Sequence, residues 1–288
     1  MHTTHPIPAE LAALIPAAWQ TGQRTTDDGM CMYYTRTGGD KTPLLLVHGH
    51  MMSGLTWLRV AQALAADYDV IMPDLRGHGR SGDATTGYSM DLLAADLLAL
   101  IHGLGLAKPL VIGHSNGAEA VLTLAASEPD LFARVVLEEP PFNAPPAPDA
   151  PGYSEWYQGW MTSMQAMQDE GDFSTQMEQV RVMGGPWVAA WDDADFIPYA
   201  DAQARFRLGV NDLLAGHKPR TADPDLLQSV TAPVLLMTGQ PTGETDPIPG
   251  MIAALPDGTH QHFDGAGHMI HATQLAAFVA AVRAFFAT

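Results

Sequence analysis

A strand pattern, a tight turn and a helical pattern follow one another in the stretch LVIGHSNG, residues 110–117. The apolar run 110–112 predicts a buried strand, and the pattern over Asn116–Ser127 predicts a helix. Between them lies the motif G-x-S-x-G, whose glycines permit a turn that is too tight for larger side chains. Such a turn exposes Ser115 in a strained conformation at a helix N-terminus, where backbone amides can stabilise a developing negative charge. Ser115 is therefore the candidate nucleophile.

The same alternation of short apolar runs and longer helical patterns extends over most of the chain. It is typical of βαβ units, so we predict an α/β fold in which helices cover both faces of a mostly parallel central sheet. The predicted strands are 44–47, 69–72, 110–112, 134–138, 234–238 and 260–263, and the main predicted helices are 54–66, 90–103, 116–127 and 272–286.

The alternation is interrupted between residues 140 and 229. Residues 140–151 are rich in proline, which lacks the backbone N–H that regular structure needs, and the segment beyond them has helical patches without a strand pattern. We therefore predict a core of residues 1–139 and 230–288 with an inserted helical cap at 140–229. Large apolar side chains in the cap indicate a substrate pocket, although each can also belong to the cap's own small core. The candidate pocket residues are Trp156, Trp160, Met161, Trp187 and Trp191.

Composition excludes several classes of protein. The 288 residues are 47% hydrophobic and 16% charged, which is enough apolar material for a sizeable core. The formal net charge of -18 disfavours nucleic acid and anionic membranes as partners. A single cysteine, Cys31, excludes an internal disulfide and favours a cytoplasmic location. No signal peptide or membrane span is apparent, and we expect a monomer or homodimer.

Two further motifs follow predicted strands, namely HGH at residues 48–50 and DLRGHGRS at residues 74–81. The patterns H-G-x, D-x-R-G-x-G-x-S and G-x-S-x-G occur in this order and spacing in the α/β-hydrolase fold superfamily. The chain resembles this superfamily over about residues 30–140 and 230–288. By position, the backbone N–H groups of His50 and Asn116 are expected to form an oxyanion hole.

A serine hydroxyl needs a general base, because on its own it is a weak nucleophile at neutral pH. His268, in the stretch DGAGH at residues 264–268, follows the last predicted strand and matches the catalytic histidine of the family. The pairs His260/His262 and His268/His271 have metal-like spacings but lack a carboxylate cluster, so we predict no metal site.

The carboxylate that would orient His268 is ambiguous in the sequence. The family usually places an aspartate shortly after the strand at 234–238, but Asp246 comes about four residues late. Some members place the acid after the strand before the cap, and the lactonases that hydrolyse zearalenone use a glutamate there. Glu139, which lies 24 residues after Ser115, has the spacing that this resemblance implies. We expect Glu139 to be the acid, and leave Asp246, Glu244 and Glu138 as alternatives.

These residues predict a serine hydrolase that cleaves a carboxylic ester or lactone of an apolar, aromatic or macrocyclic small molecule through an acyl-enzyme, without a cofactor. A cofactor-free haloperoxidase or perhydrolase, a C–C bond hydrolase and a hydroxynitrile lyase would use the same triad. Haloalkane dehalogenases and epoxide hydrolases are disfavoured because their nucleophile is an aspartate. A different class, a non-catalytic small-ligand receptor of the same fold, stays open.

Overall fold

The structure is a computed structural model that describes residues 6–83, 86–143, 153–185, 188, 191–213, 217–240 and 246–288. Within these residues eight strands form one sheet in the order β1-β2-β4-β3-β5-β6-β7-β8. The pairs β1·β2 and β2·β4 are antiparallel and the other pairs are parallel, as predicted for an α/β fold. The strands are β1 Gln20–Thr25, β2 Cys31–Arg36, β3 Pro43–Val47, β4 Asp69–Pro73, β5 Leu110–His114, β6 Val135–Glu138, β7 Val234–Thr238 and β8 Gly258–His262.

Helices connect the strands and cover both faces of the sheet. Short 3-10 helices lie at Gly54–Trp57, Leu208–Leu213 and Arg220–Ala222. The α-helices of the described residues are α1 Ala9–Ala12, α2 Leu58–Leu64, α3 Met90–Gly103, α4 Asn116–Ser127, α5 Tyr153–Asp169, α6 Phe173–Gly184, α7 Asp193–Arg205, α8 Pro224–Gln228, α9 Ile248–Ala254, α10 Ile270–Thr273 and α11 Leu275–Phe286.

Two hydrophobic layers sandwich the sheet, and β3 contributes to both. Leu45 and Val47 pack with α3 and α4 on one face, whereas Leu44 and Leu46 pack with α2 and α11 on the other. The two faces alternate because successive side chains of a strand point to opposite sides. Burial on both faces explains why the sequence of a parallel strand is a continuous apolar run. Because β3, β5, β6, β7 and β8 run parallel, their carboxyl ends lie along one edge of the sheet.

Between β6 and β7 the described residues form helices and no strand. We call residues 153–229 the insert. Its helices enclose a separate cluster of buried apolar side chains that includes Met164, Met167, Phe196 and Phe206. A buried ion pair joins Arg80 of the core to Asp201 of the insert, with Nη1 and Oδ2 2.8 Å apart. Among the described residues, no helix combines the length and apolar character needed to cross a membrane.

Candidate active site

Ser115 lies on a sharp turn between β5 and α4. Its backbone has φ 52° and ψ −125°, a left-handed conformation that costs energy in a residue with a Cβ. The flanking glycines are required by close backbone contacts: a Cβ on Gly113 would lie 2.6 Å from the Cα of Ala118, and one on Gly117 would lie 2.3 Å from the carbonyl oxygen of His48. The local conformation is thus the strained turn that G-x-S-x-G predicts.

The predicted pair Glu139–His268 is present. Nδ1 of His268, in the loop between β8 and α10, lies 3.3 Å from Oε2 of Glu139, which directly follows β6. The other carboxylate oxygen of Glu139 accepts hydrogen bonds from the backbone N–H groups of Gly239 at 2.5 Å and Gln240 at 3.0 Å. Glu139 has φ 48°, so its backbone, like that of Ser115, is in the left-handed region. The carboxylate is therefore fixed between the end of β7 and the imidazole.

Hydrogen bonding keeps Glu139 ionised. Burial raises the pKa of its carboxyl, but the hydrogen bonds with His268 and with the backbone N–H groups of Gly239 and Gln240 outweigh burial, so the pKa lies below its ordinary value. An ionised carboxylate can only accept, so Nδ1–H of His268 donates the hydrogen bond to Oε2 of Glu139. This arrangement leaves Nε2 of the neutral ring without a proton, which is the form a general base requires.

Ser115, Glu139 and His268 line one cavity of about 170 Å³. The rest of its described wall consists of residues 140–143 after β6, together with Thr238 and Gln240 at the end of β7. Three carboxyl ends of parallel strands thus bring the hydroxyl, imidazole and carboxylate to one site, although 129 residues separate Glu139 from His268.

The loop after β3 passes directly beside Ser115, the predicted nucleophile. A Cβ on Gly49 would lie 3.0 Å from the Cβ of Ser115, so the loop and the turn are in close contact. The next residue, His50, has Nε2 2.8 Å from Oδ1 of Asn211 in the insert. Burial lowers the pKa of His50 to about 4, even though the hydrogen bond with Asn211 acts in the opposite direction, so the ring is neutral near pH 7. His50 and Asn116, the predicted oxyanion residues, thus flank the Ser115 turn.

The other candidate carboxylates have different partners. Asp246 is exposed, and its Oδ1 accepts the backbone N–H of Ile248 at the start of α9, at 3.0 Å. Glu138 is fully buried and pairs with His271 at 2.7 Å. Glu244 lies outside the described residues. Of the candidate acids that the structure describes, Glu139 is the one that contacts His268.

The predicted pocket residues are found within the insert. Trp160 and Trp191 pack against its hydrophobic cluster, so they contribute to the insert's own packing. Sδ of Met161 accepts a hydrogen bond from Nδ2 of Asn211 at 3.3 Å. Trp187 and the side chain of Trp156 lie outside the described residues. That these five residues contact substrate stays a prediction.

Sequence reasoning missed how His114, Glu138 and His271 are arranged around His268, the predicted base. The carbonyl oxygen of His268 lies 2.8 Å from Nε2 of His114, the residue before the nucleophile. The adjacent glutamates 138 and 139 and the spacing His268-x-x-His271 were visible signals. The described residues contain no group of three or more His, Cys, Asp or Glu side chains arranged to hold a metal ion.

Comparisons with known proteins agree with this architecture. N-formylmaleamate deformylase of Pseudomonas putida is 27% identical over 267 residues, which cover 90% of this chain and 94% of that protein. The crystal structure of N-formylmaleamic acid deformylase from Pseudomonas putida S16 has a TM-score of 0.73 and 26% identity, and covers 91% of this chain and 100% of that one. A non-heme chloroperoxidase of Streptomyces lividans is 40% identical, but over only 40% of this chain and 43% of that protein.

A family model described as alpha/beta hydrolase fold matches residues 42–274, which is most of the chain. The matched range includes the turn at Ser115, the pair Glu139–His268 and the insert between β6 and β7. The chain therefore belongs to the α/β-hydrolase fold family.

Proposed function

We propose that the protein is a serine hydrolase that cleaves a carboxylic ester or lactone through an acyl-enzyme on Ser115. One observation carries the proposal: a hydrogen-bonded carboxylate–imidazole pair and a serine on a strained turn line the same cavity. Such a constellation activates a hydroxyl that is otherwise a weak nucleophile.

Each residue has one role in this mechanism. His268 accepts the proton of Ser115 at Nε2 while Oγ attacks the substrate carbonyl, and the backbone N–H groups of His50 and Asn116 stabilise the oxyanion. His268 then returns the proton to the leaving group, and water releases the acyl group by the same steps. Glu139 holds the tautomer and stabilises the protonated imidazole.

The site favours a small acyl group. A cavity of about 170 Å³ is below the range of pockets that enclose a drug-sized ligand. Its wall contains Pro140, Pro141 and Phe142, which suit an apolar acyl group. The net charge of -18 repels strongly anionic substrates at long range. In this proposal the insert determines whether an aromatic or macrocyclic alcohol part is accepted.

Removal of a formyl group from nitrogen is a second candidate. It is favoured by the similarity to N-formylmaleamate deformylase, which extends over 90% of this chain. A formyl group is the smallest acyl group, so it fits the cavity, and its transfer to Ser115 and then to water uses the same residues. A perhydrolase reaction, in which peroxide replaces water as the acyl acceptor, is a weaker candidate because the chloroperoxidase matches only 40% of the chain.

The test is hydrolysis of 4-nitrophenyl acetate and butyrate, dihydrocoumarin and N-formylmaleamate by the wild type and by the variants Ser115→Ala and His268→Asn. We expect the wild type to hydrolyse at least one ester or the lactone, and both variants to lose more than about a thousandfold in kcat. Turnover of N-formylmaleamate alone would replace the first proposal by the second. No turnover of any substrate, with no labelling of Ser115 by a fluorophosphonate, would favour a non-catalytic receptor.

A further inference from the structure

His114 connects the nucleophile turn to the loop that carries the proposed base. It immediately precedes Ser115, and its Nε2 lies 2.8 Å from the carbonyl oxygen of His268. We propose that His114 is a positioning residue, which holds the His268 imidazole in place relative to Ser115 by a hydrogen bond to the His268 backbone. This inference rests on the proposed function, because it assigns His114 a part in that same site.

The protonation of His114 follows from its surroundings. The side chain is fully buried, and burial lowers the pKa of its imidazole well below the usual range, so the neutral ring carries one N–H. A backbone carbonyl oxygen can only accept, so this proton is on Nε2 and is donated to His268. Nδ1 is therefore a buried acceptor, and it has no hydrogen-bond partner among the described residues.

An unpaired buried nitrogen makes His114 a poor choice for packing alone. A buried polar atom without a partner lowers stability, whereas a phenylalanine of similar shape would avoid that cost. The position is also crowded, because a Cβ on Gly49 would lie 2.7 Å from Nδ1 of His114. The ring thus touches the loop after β3, the nucleophile turn and the base loop together. Within the part of the chain that the structure describes, the hydrogen bond of the ring is to the backbone of His268.

A second buried pair fixes the other end of the base loop. Oε1 of Glu138 accepts the backbone N–H of His271 at 2.9 Å, and the Glu138 carboxylate accepts Nδ1–H of the His271 ring at 2.7 Å. Trp57 packs on the same ring with centroids 4.2 Å apart. The edge of His114 meets the His271 ring at a centroid distance of 5.3 Å.

Three contacts therefore hold residues 268–271 against β5 and the end of β6. His114 of β5 binds the His268 backbone, Glu139 binds the His268 ring, and Glu138 of β6 binds His271. These two strands end directly before Ser115 and Glu139. Loss of one of these contacts lets the His268 imidazole move relative to the Ser115 hydroxyl. A misplacement of about 1 Å can cost about a hundredfold in rate. Since His114 contacts no bound substrate in this scheme, the effect belongs in kcat rather than KM.

The test compares His114→Phe with His114→Gln, using 4-nitrophenyl acetate. Phenylalanine keeps the ring but cannot donate, and we expect kcat to fall about 10- to 100-fold with KM within about twofold. Phenylalanine removes the unpaired Nδ1 but leaves the carbonyl oxygen of His268 without its donor, so the two effects offset and the thermal midpoint should change little. The amide of glutamine can reach the same carbonyl oxygen, so His114→Gln should recover kcat to within about fivefold of wild type.

Thr123→Val is the matched control. Oγ1 of Thr123, on α4, is likewise buried and has no hydrogen-bond partner among the described residues. Thr123→Val therefore also removes a buried, unpaired polar atom, but one on α4 rather than beside the base loop. We expect kcat to stay within about twofold.

Two results would overturn the inference. One is a His114→Phe variant with wild-type kcat; the other is equal losses of kcat in His114→Phe and His114→Gln, each with a lower thermal midpoint, which would indicate a structural role. If the wild type hydrolyses neither an ester nor the lactone, the proposed function fails on its own. The rate of fluorophosphonate labelling of Ser115, which also needs His268, then replaces kcat, and equal rates in wild type and His114→Phe would reject the positioning role.

Discussion

The variant Glu139→Gln removes the negative charge of the carboxylate but keeps its hydrogen bonds to the backbone. Oε1 of glutamine can still accept the backbone N–H groups of Gly239 and Gln240, which Glu139 binds at 2.5 and 3.0 Å. The amide nitrogen then faces Nδ1 of His268 and donates to it. The imidazole is thereby held in the opposite tautomer, with its proton on Nε2, and cannot accept the proton of Ser115.

The expected loss in kcat is about 10³- to 10⁴-fold, or about 4 to 5.5 kcal/mol in activation free energy, because the wrong tautomer and the missing charge act on the same step. The stability cost is small: the hydrogen bond from Nδ1–H of His268 to the carboxylate is long, at 3.3 Å, and the His268 side chain is 33% exposed, so its replacement costs less than about 1 kcal/mol. Glu139→Ala also leaves two N–H groups unpaired, which lowers the free energy of unfolding by about 2 to 4 kcal/mol.

The assay is steady-state hydrolysis of 4-nitrophenyl butyrate combined with urea unfolding of each variant. Asp246→Asn is the matched control, because it makes the same chemical change at an exposed carboxylate and keeps the acceptor for Ile248 N–H; its kcat should stay within about twofold. Near-wild-type kcat in Glu139→Gln, with a large loss in Asp246→Asn, would refute the assignment of the acid.

Three further predictions concern stability. Burial lowers the pKa of His78, so below about pH 6.5 the unfolded chain binds a proton there that the folded chain does not, and the free energy of unfolding decreases as the pH is lowered. His78→Phe should reduce this pH dependence by about 1.4 kcal/mol per pH unit near pH 5.5, measured by urea unfolding, and an unchanged slope would contradict the reasoning. Asp96→Ala leaves the buried Arg76, which it binds at 2.6 Å, without its main partner and should cost about 3 to 5 kcal/mol in unfolding free energy; a loss below about 1 kcal/mol would show that this pair is not essential. Gly117→Ala places a Cβ against backbone and should lower the thermal midpoint, whereas Gly159→Ala, which meets no atom within 4 Å in α5, should raise it slightly; the reverse order would disprove the packing argument.

Patterns that are repeated along the chain made most of the core predictable. The helices at Met90–Gly103 and Asn116–Ser127 and the strand at Val234–Thr238 have the predicted bounds, because buried apolar periodicity marks both kinds of element. The antiparallel strands β1 and β2 were not predicted. β1, Gln20–Thr25, is polar and mostly exposed, so hydrogen bonding to β2 rather than an apolar pattern defines it.

The sequence favoured Glu139 as the acid of the predicted triad but left Asp246, Glu244 and Glu138 as alternatives. Glu139 and Asp246 both follow strands that end at the same sheet edge, and only three-dimensional packing brings one of them to His268. The fold also explains why the two adjacent glutamates have different partners. Glu138 ends β6 and pairs with His271, whereas the left-handed backbone at Glu139 turns that side chain toward the cavity. Sequence periodicity carries no information on such a backbone reversal.

The proposed acyl-enzyme on Ser115 can be measured directly. Rapid quenching in acid during turnover of 4-nitrophenyl acetate, followed by mass spectrometry of the intact chain and of its peptides, measures acyl transfer. We expect one acetyl group per chain, located on Ser115, which accumulates in the wild type at early times and is absent from Ser115→Ala. Turnover by a wild type that carries no acetyl group, or an acetyl group on another residue, would contradict the proposed acyl transfer to Ser115.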